Sequence, residues 1–311
     1  MCVPLRIEAR SGIQLVEGAD QQPTFRTDGE RGINRATTVR IRNHPNMDGL
    51  AKNLAGPLSR LVANRRTALL SQWAETYLGV LLGKGAGTGW AIAAEVTAAR
   101  SVIHTDEPVL FDVGAHLGEW SVLAKQHFSK ARLILFEPQP SYQKAIGEHA
   151  LSNSELIPFA VSSSVHRMSL FASAEHGGIA SVHERRDSFF TDVEFVPTEI
   201  DTVTIDDVVA ERGIEQVDFM KMDVEGHELD VLRGARKSLE SGLIKALSFE
   251  FGSANINSRT YFHDFWDELT PLGYRISRIL PSGKVLPIER YYEDCEYFRG
   301  ATNYIAHLPK R

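Results

Sequence analysis

Residues 109–118 read Val109-Leu-Phe-Asp112-Val-Gly114-Ala-His-Leu-Gly118. An apolar run ends in an acid, and two glycines then lead into a helical pattern that continues to about Phe128. A nearly continuous apolar run of this length suits a strand covered on both faces. Gly114 can take backbone angles closed to other residues, and Gly118 lets the chain approach a ligand closely. The helix N-terminus behind the turn favours an acceptor or an anion.

The same strand-then-helix unit recurs downstream. Leu133–Phe136 is a second strand, followed by a helix over Tyr142–Leu151, and Leu156–Val161 makes a third strand. Phe219–Met222 is the fourth strand. The helix Glu228–Ser241 after it carries Leu229, Leu232, Ala235 and Leu239 on one face, with Gly242 as its cap. Ala246–Phe251 is the fifth strand, and Tyr274–Ile279 with Asn303–His307 form a closing antiparallel pair. Ile205–Arg212 is a short helix. Segment 165–204 reads as β-rich through Met168, Leu170, Val193, Phe195 and Val196, around a turn at Gly177-Gly178. This alternation predicts an α/β, Rossmann-like, doubly wound and mostly parallel sheet, with ligands at the carboxyl ends of its strands.

Upstream, residues 1–44 are polar and without sustained period, and read as a flexible extension with a short strand near Ile13–Val16. Residues 45–104 read as an N-terminal helical cap over the crevice, leaving 105–311 as the Rossmann-like domain. Within the cap, Pro57 opens one helix carrying Leu58, Leu61 and Val62; Leu69, Leu70, Trp73, Tyr77 and Leu78 mark a second, and a third runs from about Trp90 to Arg100. The glycine-rich stretch Gly83-Lys84-Gly-Ala-Gly-Thr-Gly89 has the wrong order for a phosphate loop and reads as a hinge.

The chain has 311 residues, 43% hydrophobic and 24% charged, and a formal net charge of −6. That balance disfavours nucleic acid as a partner. Cys2 and Cys295 are the two cysteines, too few for a disulfide framework or a paired-cysteine zinc site. The apolar stretch Ala68–Leu82 is broken by Gln72 and Glu75 and is too short to span a bilayer. Arg6, Glu8 and Arg10 break up any signal-peptide layout. These features lead to an expectation of a soluble cytoplasmic protein.

The chemistry concentrates at three strand ends. Glu137, in Phe136-Glu-Pro138, stands nineteen residues after Gly118 at the end of the second strand. A carboxylate there can accept both ribose hydroxyls of an adenosine ligand. The glycine spacing is Gly-x-x-x-Gly, not the Gly-x-Gly-x-x-Gly that cradles a pyrophosphate, which disfavours nicotinamide cofactors. Asp112, Gly114, Ala115, His116, Gly118, Glu137 and Pro138 are therefore candidate cofactor-binding residues. The second cluster is Lys221-Met-Asp223-Val-Glu225-Gly226-His227-Glu228. Chemistry at a substrate hydroxyl requires that its proton leave, and Asp223, Glu225 or His227 offers a group to take it. Asp223 is also a candidate for the cofactor's amino-acid end, and Glu228 for a helix-capping carboxylate. Glu250, in Phe249-Glu-Phe251, is a further candidate base or the partner of an arginine. The eleven histidines show no recurrent ligand spacing, so no metal site is assigned. Arg185-Arg186 reads as a solvated face, and Tyr261, Phe262, Phe265 and Trp266 as a core stripe.

These motifs resemble the FkbM-type methyltransferases. The matching residues are Asp112-Val-Gly-Ala-x-x-Gly118, Phe136-Glu-Pro138, Thr204-Ile-Asp-Asp207, Lys221-Met-Asp-Val-Glu-Gly-x-Glu228 and Val231-Leu-x-Gly-Ala235. The resemblance covers about residues 83–307 and implies a class I methyltransferase fold with S-adenosyl-L-methionine as methyl donor. It implies O-methylation of a small-molecule or glycan hydroxyl, with Asp112, Gly114 and Glu137 at the cofactor and Asp223 and Glu225 as active-site acids. His116 stands where the family pattern has Asn. Two other classes compete: a nicotinamide-dependent oxidoreductase, and a non-catalytic nucleoside-binding module on the same fold.

Overall fold

A computed structural model describes residues 13–16, 24–27, 49–87, 91–173, 180–184 and 193–310. The turn read at Gly177-Gly178, the Arg185-Arg186 pair and most of the 1–44 extension lie outside the described residues. The chain divides into two units, residues 1–61 and 62–311. In the first, β1 (Ile13–Val16) pairs antiparallel with β2 (Thr24–Thr27). Helix α1 (Gly49–Val62) follows. It begins upstream of Pro57 and carries that residue inside, instead of opening on it. The four-residue spacing Leu54, Leu58, Val62 continues across the proline.

The second unit begins with α2 (Arg65–Leu81) and α3 (Ala91–Val102). Asn64 caps α2 through its side chain, which accepts from Thr67 N at 3.2 Å. The repeating core then runs β3 (Val109–Val113), α4 (Glu119–His127), β4 (Arg132–Phe136), α5 (Pro140–Glu148), β5 (Ser154–Ile157) and β6 (Ala160–Val161). Next come β7 (Arg167–Ala172), β8 (Val196–Val203), α6 (Ile205–Glu211), β9 (Phe219–Met222), α7 (Glu228–Gly234) and α8 (Arg236–Glu240). The chain closes with β10 (Ala246–Gly252), α9 (Ala254–Ser258), α10 (Phe262–Leu269), β11 (Arg275–Ile279), β12 (Val285–Pro287) and β13 (Ala301–His307).

Eight strands form the main sheet in the order β12-β11-β13-β10-β9-β3-β4-β5. The pairs β3–β4, β4–β5, β3–β9 and β9–β10 are parallel, and β13 runs antiparallel to both β10 and β11. The chain steps outward from β3 on one side and returns to β9 on the other. That switch point opens a crevice at the carboxyl ends of β3 and β9. Side-chain alternation splits the core into two layers. Phe111, Val113, Phe136, Met220, Met222 and Phe249 pack with Val208, Leu232 and Phe265. Leu110, Leu133, Leu135 and Phe219 pack on the other side with Ala98, Trp120 and Ala124. Helix α3 is thus part of the sheet's covering layer. The closing pair holds as read, with β13 inserted between β10 and β11.

Three expectations are corrected. The strand read over Leu156–Val161 is two strands in different sheets. Pro158 has no N–H to continue a ladder, and β6 leaves the main sheet to pair with β8 in a three-stranded sheet of order β6-β8-β7. The helix read over Glu228–Ser241 breaks at Ala235 (φ −106°, ψ 10°) into α7 and α8. Asp206 holds the second piece, accepting from Lys237 N and Ser238 N at 2.9 Å each, while Thr204 caps α6 at Asp207 N. The stretch read as a hinge is pinned over residues 83–85. Lys84 is buried against Asp294 Oδ2 at 2.7 Å, and Gly85 N donates to Thr302 Oγ1 at 3.0 Å.

Two helical glycines give a paired test. A Cβ on Gly234 in α7 would lie 2.1 Å from Ser162 O, whereas one on Gly147 in α5 meets nothing within 4 Å. Gly147→Ala should raise stability by up to about 1 kcal/mol through helix propensity. Gly234→Ala should lower it by about 1–3 kcal/mol, because the backbone must move. Urea unfolding of both variants measures the two signs.

Candidate active site

The turn after β3 is built from the backbone outward. Gly114 N and Ala115 N both donate to Phe136 O, at 3.1 and 3.0 Å, tying this turn to the end of β4. Gly114 has φ +75°, and a Cβ there would lie 2.0 Å from Asp223 O. Only glycine fits between the two strand ends. His116 also takes a left-handed conformation (φ 49°) and packs its ring 4.3 Å from that of Tyr142.

Glu137 joins this turn to the next. Its Oε2 accepts from His116 N and its Oε1 from Gln139 N, each at 2.9 Å. Burial pushes its carboxyl up to about 7, against the two N–H donors and Lys221, which favour the charged form. Each oxygen retains acceptor capacity beyond its one bond.

Below the turn lies Lys221, the one charged residue in the apolar strand β9. Its Nζ donates to Gly114 O at 2.8 Å and stands 3.2 Å from Asp112 Oδ1 and 3.7 Å from Asp223 Oδ2. Asp112 is fully buried, and its Oδ2 accepts from Ser121 Oγ at 2.7 Å. Its neighbouring carboxylates hold the Lys221 ammonium charged, raising its affinity for the proton against the cost of burial.

The block after β9 is a tight turn. Glu225 (φ 52°) and Gly226 (φ 97°) are both left-handed, and a Cβ on Gly226 would meet Ala254 O at 2.9 Å. Glu228 clamps the turn, its Oε1 accepting from Val224 N at 3.0 Å and its Oε2 from Gly226 N at 3.1 Å. Burial pushes its carboxyl up to about 8. His227 is buried, with Nε2 3.0 Å from Ser162 Oγ and Nδ1 3.6 Å from Asp230 Oδ2. Desolvation brings it down to about 4, so it is neutral near pH 7.

One cleft gathers these pieces. Gly114, His116, Glu137, Pro138 and Gln139 line it from the β3 and β4 ends, and Asp223, Val224, Glu225 and His227 from the turn after β9. Ala160, Val161 and Leu170 of the small sheet, with Ala180 and Val182 on either side of the bridge from Ser181 to Phe171, supply an apolar side. Ser181 fastens that side to the turn, its Oγ donating to Glu225 O at 2.7 Å.

Of the residues singled out from sequence, Asp112, Ala115, Gly118 and Glu250 do not line this cleft. Asp112 lies beneath it and bears on the turn through Lys221. Ala115 is buried, and Gly118 caps α4 with φ +78°. Glu250 stands beside Asp223 in the sheet, where burial and then the charges of Asp223, Glu225, Glu228 and Glu95 push its carboxyl well above the usual range. Among the described residues no arginine or lysine forms an ion pair with Glu250.

Glu95 was missed. It accepts from Asn303 Nδ2, and burial pushes its carboxyl up to about 8. Its sequence signal is a lone acid in the alanine-rich pattern of α3. Leu170 lines the cleft, while Ser162 contacts His227 and Ser181 holds the Glu225 carbonyl; none carries a local signal, because through-space contacts bring them there. Among the described residues no group of three His, Cys, Asp or Glu side chains is placed to hold a metal ion.

The methyltransferase FkbM domain model matches residues 112–276, from the acid at the end of β3 into β11. The 2-O-methyltransferase NoeI of Sinorhizobium fredii is 27% identical over 150 residues, covering 45% of this chain and 62% of that protein. The hexuronic acid methyltransferase AglP of Haloferax volcanii is 29% identical over 140 residues, covering 44% of this chain and 53% of that one. A solved FkbM methyltransferase from Methylobacillus flagellatus aligns over 67% of this chain and 45% of its own, at 16% identity and a TM-score of 0.44. The chain thus spans less than two thirds of the length of the two curated relatives described. The family model takes in the turn at Gly114, the carboxylate at Glu137 and the clamped block at 221–228, and by that match the chain belongs to the FkbM methyltransferase family.

Proposed function

We propose that the chain is an S-adenosyl-L-methionine-dependent O-methyltransferase acting on a hydroxyl of a sugar or secondary metabolite. The observation that carries this reading is Glu137. A buried carboxylate faces the cleft, is preset by two backbone N–H groups and stands beside a turn where only glycine fits. These residues suit an adenosine ligand: Glu137 for the ribose hydroxyls, the wall of Ala160, Val161, Leu170 and Val182 for the base, and Asp223 for the amino-acid end. The name of one relative, a 2-O-methyltransferase, favours transfer to oxygen, and that of the other, a hexuronic acid methyltransferase, favours a sugar as acceptor.

When bound, the cofactor supplies an electrophilic methyl group on a sulfonium. This chain's residues orient the acceptor, exclude water and move one proton. Holding the two reactants together contributes most of the acceleration. Asp223, Glu225, His227 and Glu250 are the groups available for the proton. His227 is a weak base at neutral pH, since desolvation favours its neutral form over the imidazolium. Glu250 does not line the cleft, and burial and then four neighbouring acids raise its carboxyl well above the usual range, which favours its protonated form. We therefore assign the acceptor proton to Asp223 or Glu225, the two carboxylates of this group that line the cleft.

Isothermal titration with S-adenosylhomocysteine tests the cofactor assignment. Wild type should bind saturably, and Glu137→Ala should bind at least tenfold more weakly, consistent with the loss of a charged hydrogen-bonding group. Failure of wild type to bind would overturn the reading. Screening saccharides for transfer of a radiolabelled methyl group then identifies the acceptor. With that acceptor, Asp223→Asn and Glu225→Gln identify the base: the variant that lacks it should lose about 10²–10⁴ in kcat. Glu250→Gln should lower kcat by less than about tenfold and leave S-adenosylhomocysteine affinity within a few-fold, because Glu250 does not line the cleft.

A further inference from the structure

Helix α2 is attached to its domain by the wrong side for an ordinary amphipathic helix. Its polar face is the docked one. Glu75 is paired with Arg299, and Thr76 Oγ1 accepts from Arg299 Nη1 at 3.0 Å. Gly79 is the buried position of α2, close enough that an added Cβ would lie 3.2 Å from Arg299 Cδ. Just past the helix, Arg278 Nη1 donates to Leu82 O at 3.2 Å, and Lys84 is locked to Asp294. These contacts fix the rotation of the helix.

The consequence is an outward apolar face. Leu70 is 67% exposed, Trp73 69% and Tyr77 55%, with Leu69 and Leu81 also exposed beside them. Trp73 and Tyr77 stack at 5.9 Å. A contiguous exposed face of this composition marks an interaction surface. Its charge selects the partner. Arg65 and Arg66 are exposed at the start of the helix and make no ion pair among the described residues. The helix's one acid, Glu75, is already committed to Arg299. A second copy of α2 therefore has no uncommitted carboxylate to offer these arginines, in either orientation, whereas lipid phosphates supply anionic oxygens. Indole and phenol rings also suit the boundary between headgroups and acyl chains.

We propose that α2 is a peripheral docking helix for an anionic lipid surface. Leu69, Leu70, Trp73, Tyr77 and Leu81 enter the headgroup boundary, and Arg65 and Arg66 lie over the phosphates. The helix does not cross the bilayer: no helix among the described residues is long and apolar enough to do so. The net charge of −6 on the whole chain opposes approach to such a surface, so the attachment rests on this helix. The inference is independent of the methyl-transfer reading.

Co-sedimentation of the full chain with phosphatidylglycerol/phosphatidylcholine vesicles tests it, alongside sedimentation equilibrium without lipid. The expected result is a monomer that binds the mixed vesicles and binds phosphatidylcholine alone at least tenfold more weakly. Leu70→Ser/Trp73→Ser should weaken binding by at least tenfold. Arg65→Gln/Arg66→Gln should weaken it roughly fivefold per charge removed. Both variants replace exposed side chains and should melt with wild type. No binding to either vesicle, equal binding to both, or a dimer that Leu70→Ser/Trp73→Ser dissociates would each overturn the proposal, the last in favour of a second copy.

Discussion

The buried ammonium of Lys221 is the constraint around which the crevice is organised. It stands between two carboxylates, Asp112 and Asp223, and donates to the carbonyl of Gly114. Taking such charges out of water costs several kcal/mol per ion, and the cost is recovered only where geometry and hydrogen bonding are good. Here the pairing crosses between adjacent strands at the topological switch. It fixes the ends of β3 and β9 relative to each other and holds the turn that follows β3. Removing one partner would leave a buried charge uncompensated, so the three side chains act as a unit.

Backbone geometry does the rest. Gly114 and Gly226 sit where a Cβ would strike a carbonyl of the facing segment. Glu137 and Glu228 do comparable work at two turns: each is a buried carboxylate that accepts backbone N–H groups. The energetic consequence is that both carboxyls hold their protons more tightly than in water, since desolvation exceeds the stabilisation from those donors. The acids of the motif thus divide by position. Asp112 and Glu228 build the loops, whereas Glu137, Asp223 and Glu225 face the cleft they enclose.

Much of this was legible before any coordinates. The strands β3, β4, β9 and β10 are buried on both faces and read as apolar runs, and Gly114, Glu137 and the 221–228 block stand at their ends. The legibility failed where a residue's role depends on distant chain. Asp112 resembles a ligand contact in sequence but is shielded by the turn above it, and a local pattern cannot distinguish those two positions. Leu170 and Val182 line the cleft through the small sheet and the bridge between Ser181 and Phe171, neither of which a local pattern shows. In α2, periodicity identified a helix without saying which side is covered.

The sequence by itself determined the alternation of strands and helices, the glycine turns and the strand-end acids, because each is dictated by local sterics and by a burial period of a few residues. Only the tertiary structure decided which acid faces the cleft, what closes the cleft's apolar side, and that Arg299 turns α2 inside out. Those outcomes depend on through-space contacts between segments separated by up to more than two hundred residues, as between Thr76 and Arg299. A local pattern carries no term for such contacts.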